Sequence, residues 1–207
     1  MADTVESRRL LQCIALCLEY PDQHWADRLT PVRAAATQGS GPGWPALRRF
    51  LSHVEQAGPD ALARDYVDTF DLRRRCCLYL TYYAFGDTRK RGMALLEFRQ
   101  AYQQGGFTVA SEELPDQLGV VCEFAARSPA RGLPLLERHR AGIELLQLAL
   151  QELQSPYSDV VSALQAILPE LHPRELARAL ELARTGPPAE EVGLQPFAPP
   201  ETAGARR

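Results

Sequence analysis

Most of the local signatures that announce a particular chemistry are missing from this sequence. Its 207 residues contain no Cys-x-x-Cys pair, no His-Glu-x-x-His, no Gly-x-Ser-x-Gly elbow and no Gly-Lys-Ser/Thr phosphate loop. That removes the common signposts of zinc sites, serine hydrolases and nucleotide hydrolases. The four histidines, His24, His53, His139 and His172, are scattered over separate segments. The expectation is a protein that is not an enzyme and carries no metal and no cofactor. There is no excess of one charge sign either: the formal net charge is -3, too small to draw the chain toward nucleic acid or anionic lipid. The first apolar stretch begins near Leu10, is interrupted at Gln12 and ends at Glu19, too short and polar to span a bilayer. No small-residue cleavage site follows it, so it does not read as a signal peptide. The expected location is the cytoplasm, and the odd set Cys13, Cys17, Cys76, Cys77 and Cys122 is expected as reduced thiols. Alternating strand-like runs and internal repeats are also absent.

What remains is helical rhythm. Leu10, Leu11, Ile14, Cys17 and Leu18 share one face of a helix expected over 5–20, with Thr4 as N-cap. A short helix capped by Asp22 carries Trp25 and Leu29 and breaks near Pro31; Thr37–Pro45 is a Gly/Pro loop. Pro45 suits the first turn of a helix with Leu47, Phe50, Leu51 and Val54. A further helix runs from Pro59 to Phe70. The stretch Cys76–Phe85 is apolar all round; its period does not separate buried helix from strand, and its surroundings favour helix. Asp87 reads as the N-cap of a helix with Ala94, Leu95, Phe98 and Tyr102 that stops at Gly105-Gly106. Pro115-Asp116 opens another, with Leu118, Val121, Cys122 and Ala125 inward. The next starts at Ser128-Pro129 or after Pro134, and the last two start at Ser155-Pro156 and Pro173. The final 22 residues hold five prolines and three glycines and read as a flexible tail. The expectation is an all-α chain: one helical domain over 1–185 and a tail over 186–207.

Two regions could carry function. In the first, Arg73-Arg74-Arg75 and Arg89-Lys90-Arg91 flank a stretch holding Tyr79, Tyr82, Tyr83 and Phe85. This composition can build a greasy groove with a cationic rim that accepts an amphipathic peptide; taken alone, it suits a buried helix with solvated ends better. In the second, Glu112, Glu113 and Asp116 cluster around Pro115 at a helix start, where carboxylates favour the positive end of the helix dipole. Cys13 and Cys17 have the spacing of half a metal site but read as small core residues.

The residues Tyr66-Val-Asp-Thr-Phe70-Asp71, Leu78-Tyr-Leu80, Gly86-Asp87-Thr-Arg89-Lys-Arg91-Gly92, Tyr102 and Glu113-Leu114-Pro115-Asp116-Gln117-Leu118 occur in that order. In order and spacing the chain resembles the NarJ-type family, within the wider TorD/DmsD-like group of redox-enzyme maturation chaperones. The resemblance implies a single helical bundle of that group's type. It also implies a system-specific chaperone that binds the N-terminal segment of the apo nitrate reductase α subunit. Such a chaperone supports insertion of the molybdenum cofactor and assembly of the complex. Carried over residue by residue, it implies peptide binding at Glu113, Pro115 and Asp116, with Gln117 beside them; the expected site adds apolar walls from Phe70, Leu80, Tyr83 and Phe124. Arg89 and Arg91 would lie at its rim. Relatives often have histidine where this chain has Gln117, which does not titrate near neutral pH. The alternatives are a helical protein that binds a small anion such as a guanine nucleotide or the pterin cofactor, and a same-fold chaperone serving another molybdoenzyme.

Overall fold

A computed structural model describes residues 4–86, 88–109 and 113–185. The helices are α1 (Val5–Cys17), α2 (Trp25–Arg28), α3 (Thr30–Gln38), α4 (Trp44–Gln56), α5 (Pro59–Tyr66), α6 (Tyr82–Phe85), α7 (Arg89–Gln104), α8 (Leu118–Arg127), α9 (Pro129–Arg138), α10 (Arg140–Glu152), α11 (Tyr157–Gln165) and α12 (Pro173–Thr185). Among the described residues there is no strand, only one isolated bridge between Tyr79 and Gln117. The chain is all-α. No helix among the described residues is long and apolar enough to cross a membrane.

α1 is the central element, with α8 on one side and α11 on the other. Its start follows the expected chemistry: the Thr4 hydroxyl accepts from the Ser7 amide at 3.0 Å. Its stripe of Leu10, Leu11, Ile14 and Cys17 is fully buried. Each such side chain withdrawn from water contributes roughly 1.5–3 kcal/mol. α11 seats on α4 through Phe50 and Tyr157, whose ring centroids are 5.1 Å apart. The loop before α4 passes so close to this seam that a Cβ on Gly43 would lie 2.5 Å from Leu10 Cδ2 and 2.7 Å from the Ala163 carbonyl oxygen. Gly43 also has φ 93°, which glycine alone adopts without strain.

Several boundaries differ from the sequence reading. α1 ends at Cys17, not Tyr20. Pro31 starts a helix rather than breaking one, because it sits in the first turn of α3, where its missing N–H costs nothing. Gln117, not Asp116, caps α8; its Oε1 accepts from the Val120 amide at 2.9 Å. Ser128-Pro129 does open α9, and Pro134 is carried inside that helix. α5 gives way after Tyr66 to a π-helical turn over Val67–Asp71. Asp87 and the tail from Gly186 onward lie outside the described residues.

The largest correction concerns Cys76–Phe85. It is not one helix. Arg74–Cys76 forms a 3₁₀ turn, the chain then runs without helix to the turn at Leu80-Thr81, and only Tyr82–Phe85 is α-helical. Tertiary pairing decides this. Leu118 N donates to Leu78 O at 2.8 Å and Leu80 N donates to Asp116 O at 3.0 Å, so the backbone finds partners without closing helical turns. Leu78 and Leu80 are buried at 5% and 2% exposure, and Tyr79 between them makes the isolated bridge to Gln117.

Candidate functional site

The pairing of Leu78–Thr81 with Pro115–Leu118 is fixed by a buried carboxylate. Asp116 is fully enclosed, and its Oδ2 accepts from the Thr81 amide at 3.0 Å and the Thr81 hydroxyl at 2.6 Å. Arg91 reaches in from α7: its Nε donates to Thr81 Oγ1 at 3.1 Å and its Nη2 lies 3.8 Å from Asp116 Oδ2. The guanidinium sits 5.6 Å from the Tyr79 ring centroid and 5.9 Å from that of Tyr82. Tyr102 from α7 donates its hydroxyl to the Pro115 carbonyl. These contacts clamp α7, the extended stretch and the entry to α8 into one unit.

His139, between α9 and α10, completes the surroundings. Its ring is 5.2 Å from that of Phe98. Burial pushes its pKa below the ordinary value; this outweighs the opposing pull of the Asp116 carboxylate, while Arg138 and Glu97 nearby act in opposite senses. An unfolded imidazole takes up a proton near pH 6.5, and the folded one resists it. The stabilisation is therefore complete above that pH and is lost as pH falls through the folded value. Urea midpoints measured from about pH 7.5 down to about pH 5 should fall, and His139→Gln should flatten part of that fall. An unchanged slope in the variant would remove His139 as a cause.

Beside this clamp lies a furrow of about 520 Å³ between the end of α1, the π turn and α8. Its walls are apolar: Leu18, Tyr66, Phe70, Leu78 and Val120. The π turn puts Phe70 and Asp71 together on this lining, a local irregularity of the kind found at functional sites. Phe70 is backed by Tyr66 and Tyr157, each at 4.8 Å. Every charged residue lining the furrow among the described residues is a carboxylate: Glu19, Asp71, Glu113 and Glu123. The field registers on the phenols. Burial first, then Glu113, raises Tyr79 to about 12, and burial, then Asp71 and Glu113, raises Tyr66 further. Glu19 is raised too, by burial ahead of Glu123 and Asp22, against the lowering effect of Arg28 at 2.7 Å.

A second depression lies across the outer face of α8. Two cavities of about 330 and 290 Å³ share Tyr102, Phe107, Thr108 and Val109. Phe124 forms its wall, with Tyr102 at 4.6 Å and Phe107 at 5.4 Å. Val120 and Glu123 stand between the two depressions and line both.

The expected site residues therefore separate. Phe70, Glu113 and Gln117 line the main furrow; Pro115 and Phe124 line the second. Leu80 is in the core, and Tyr83 lies against Gly142 with its hydroxyl donating to the Cys77 carbonyl at 2.9 Å. Asp116 and Arg91 belong to the clamp, and Arg89 is exposed at the start of α7. The rim is anionic where the basic triplets suggested a cationic one. Arg75 pairs instead with Glu152 at 3.2 Å, and Arg73 donates to the Asp68 carbonyl. Glu19, Tyr20 and Glu123 are not among the expected site residues; Glu19 and Tyr20 follow directly on the end of the α1 stripe, and Glu123 lies three residues beyond Val120 on the same helix face. Among the described residues no group of three His, Cys, Asp or Glu could hold a metal ion. Cys13 is raised to about 11 and Cys17 well above its ordinary value, in both mainly by burial.

The described residues thus form an all-helical fold with an apolar furrow whose rim is acidic. Residues 34–163 match the family model described as nitrate reductase delta subunit, and the chain belongs to that family. It is 40% identical over 153 residues to the nitrate reductase-like protein NarX of Mycobacterium tuberculosis, covering 73% of this chain and 23% of that protein. The chain thus spans about a quarter of NarX. It is 29% identical over 175 residues to the probable nitrate reductase molybdenum cofactor assembly chaperone NarJ of Bacillus subtilis, covering 84% of this chain and 95% of the relative. With the Escherichia coli K12 chaperone of that name it shares 30% identity over 152 residues, 72% of this chain and 64% of the relative.

Proposed function

We propose that this chain is a cytoplasmic assembly chaperone for a nitrate reductase. In this reading it grips the N-terminal segment of the apo catalytic subunit until the molybdenum cofactor is inserted. The observation that carries the reading is the furrow: apolar walls from α1, the π turn and α8, with four carboxylates around them. A short amphipathic segment would lay its apolar side chains on Leu18, Phe70 and Val120 and its basic groups on the rim. Two relatives are named as molybdenum cofactor assembly chaperones, which supports the assignment. The acidity of the rim weighs against a small anion as the furrow's ligand, since like charge repels it.

The test is calorimetric titration of the full chain with a synthetic peptide of the catalytic subunit's N-terminus. Binding with a dissociation constant in the micromolar to nanomolar range, roughly -8 to -12 kcal/mol, is expected. Affinity should weaken with added salt, because the rim is exposed to screening. Absence of heat and of any competition at millimolar peptide would overturn the reading.

A further inference from the structure

The end of the furrow beside α1 is built for one kind of side chain. Glu19 and Glu123 both line it, one from the chain just after α1 and the other from α8. Each is already paired on its outer side. Arg28 holds Glu19 at 2.7 Å but divides itself with Asp22 at 3.1 Å, and Arg127 holds Glu123 at 2.8 Å. The charge of Glu123 still falls on Glu19 and adds to the effect of burial there. Two carboxylates facing one cleft repel, and a cation between them relieves the repulsion. Tyr20 also lines the furrow, 49% exposed and perpendicular to the Tyr66 ring at 5.5 Å, and offers aromatic surface to a planar cation. Leu18 and Val120 supply the apolar surface that a long aliphatic stem covers.

A second observation is independent of the carboxylates. Gln117 is 9% exposed and lines the furrow. Its Oε1 is spent on the Val120 amide, whereas its Nε2 makes no hydrogen bond among the described residues. An amide donor on the furrow lining with no partner there can meet an acceptor, such as a main-chain carbonyl of the occupant.

Resting on the function proposed above, we infer that this end of the furrow is an arginine-reading subsite: Glu19 and Glu123 bracket one guanidinium of the client segment while Gln117 holds the adjacent main chain. Arginine fits better than lysine because its planar fork engages two carboxylates at once and lies flat on an aromatic ring. A bare metal ion fits poorly, since no group of three His, Cys, Asp or Glu that could hold one exists among the described residues.

A two-sided titration tests this. The full-length chain and its Glu19→Gln and Glu123→Gln variants are titrated with the N-terminal peptide of the catalytic subunit. Each is also titrated with peptides in which one arginine at a time is changed to glutamine or lysine. Either protein variant should weaken the parent peptide about tenfold. One peptide arginine should show the same loss against the parent protein and little further loss against the variants. Lysine at that position should recover only part of the affinity. Melting temperatures of both variants, whose changes lie at the rim, check that the fold is intact, and Glu123→Gln stands in if Glu19→Gln disturbs α1. Parent affinity in both variants, or losses that add independently for every arginine, would overturn the subsite while leaving the chaperone reading in place. A peptide that fails to bind the parent protein would remove that reading, and the subsite with it.

Discussion

Asp116→Ala is expected to lower the stability of the chain by about 3–5 kcal/mol, the cost of breaking a buried charged pair from one side. Its carboxylate is fully enclosed and accepts from the Thr81 amide and hydroxyl. Arg91, whose side chain is only 17% exposed, faces the same oxygen. Alanine would leave the Thr81 amide in a dry site without its acceptor and the guanidinium without the charge that faces it. Asp116→Asn should cost less, since an amide oxygen can still accept from Thr81 while the charge is lost. Urea unfolding followed by circular dichroism measures both. A near-neutral Asp116→Ala would mean that the clamp contributes nothing to the fold. The same geometry moves Asp116 from the surface role implied by the family resemblance to a structural one: it positions Glu113 and Gln117 and does not itself reach the furrow.

The second large effect is expected at a residue with no side chain. α9 turns back on α8 so closely that a Cβ at Gly132 would lie 2.6 Å from the backbone nitrogen of Ala125 and 2.8 Å from its Cβ. Backbone cannot swing aside as a flexible side chain does, so Gly132→Ala must push the two helices apart. Overpacking of this kind costs about 1–3 kcal/mol. The gain of alanine over glycine within a helix, up to about 1 kcal/mol, offsets only part of it. A drop in melting temperature, with a normal helical spectrum at low temperature, is the expected signature. A rise in melting temperature would mean that α9 shifts without penalty.

Comparison of sequence and structure shows where local pattern carries information. The start of α1 was legible because Thr4 sits just before an apolar stripe, and α4 because Pro45 precedes another. The stretch Cys77–Thr81 was not, because its conformation is set by Pro115–Leu118, some 35 residues on, and not by its own period. The furrow was legible only in part. Phe70, Glu113 and Gln117 lay inside the recognisable blocks. Glu19 and Glu123 lie outside or at the edge of them, and only the packing of α1 on α8 brings the two together. The sign of the rim was missed for a related reason. The arginine triplets are conspicuous in the sequence, but Arg91 is turned inward to the clamp and Arg75 outward to Glu152.

The placement of α1 also bears on how the protein comes into being. α1 is made before the helices it packs against: α8 begins only at Leu118 and α11 at Tyr157. At translation speeds of roughly 5–20 residues per second, its apolar stripe waits many seconds for its permanent neighbours. A newborn chain that stops short of α8 has Leu18, Tyr66 and Phe70 but no opposite wall to set them against. The furrow would therefore form abruptly once α8 is made, and a copy cut short before α8 would expose one greasy wall.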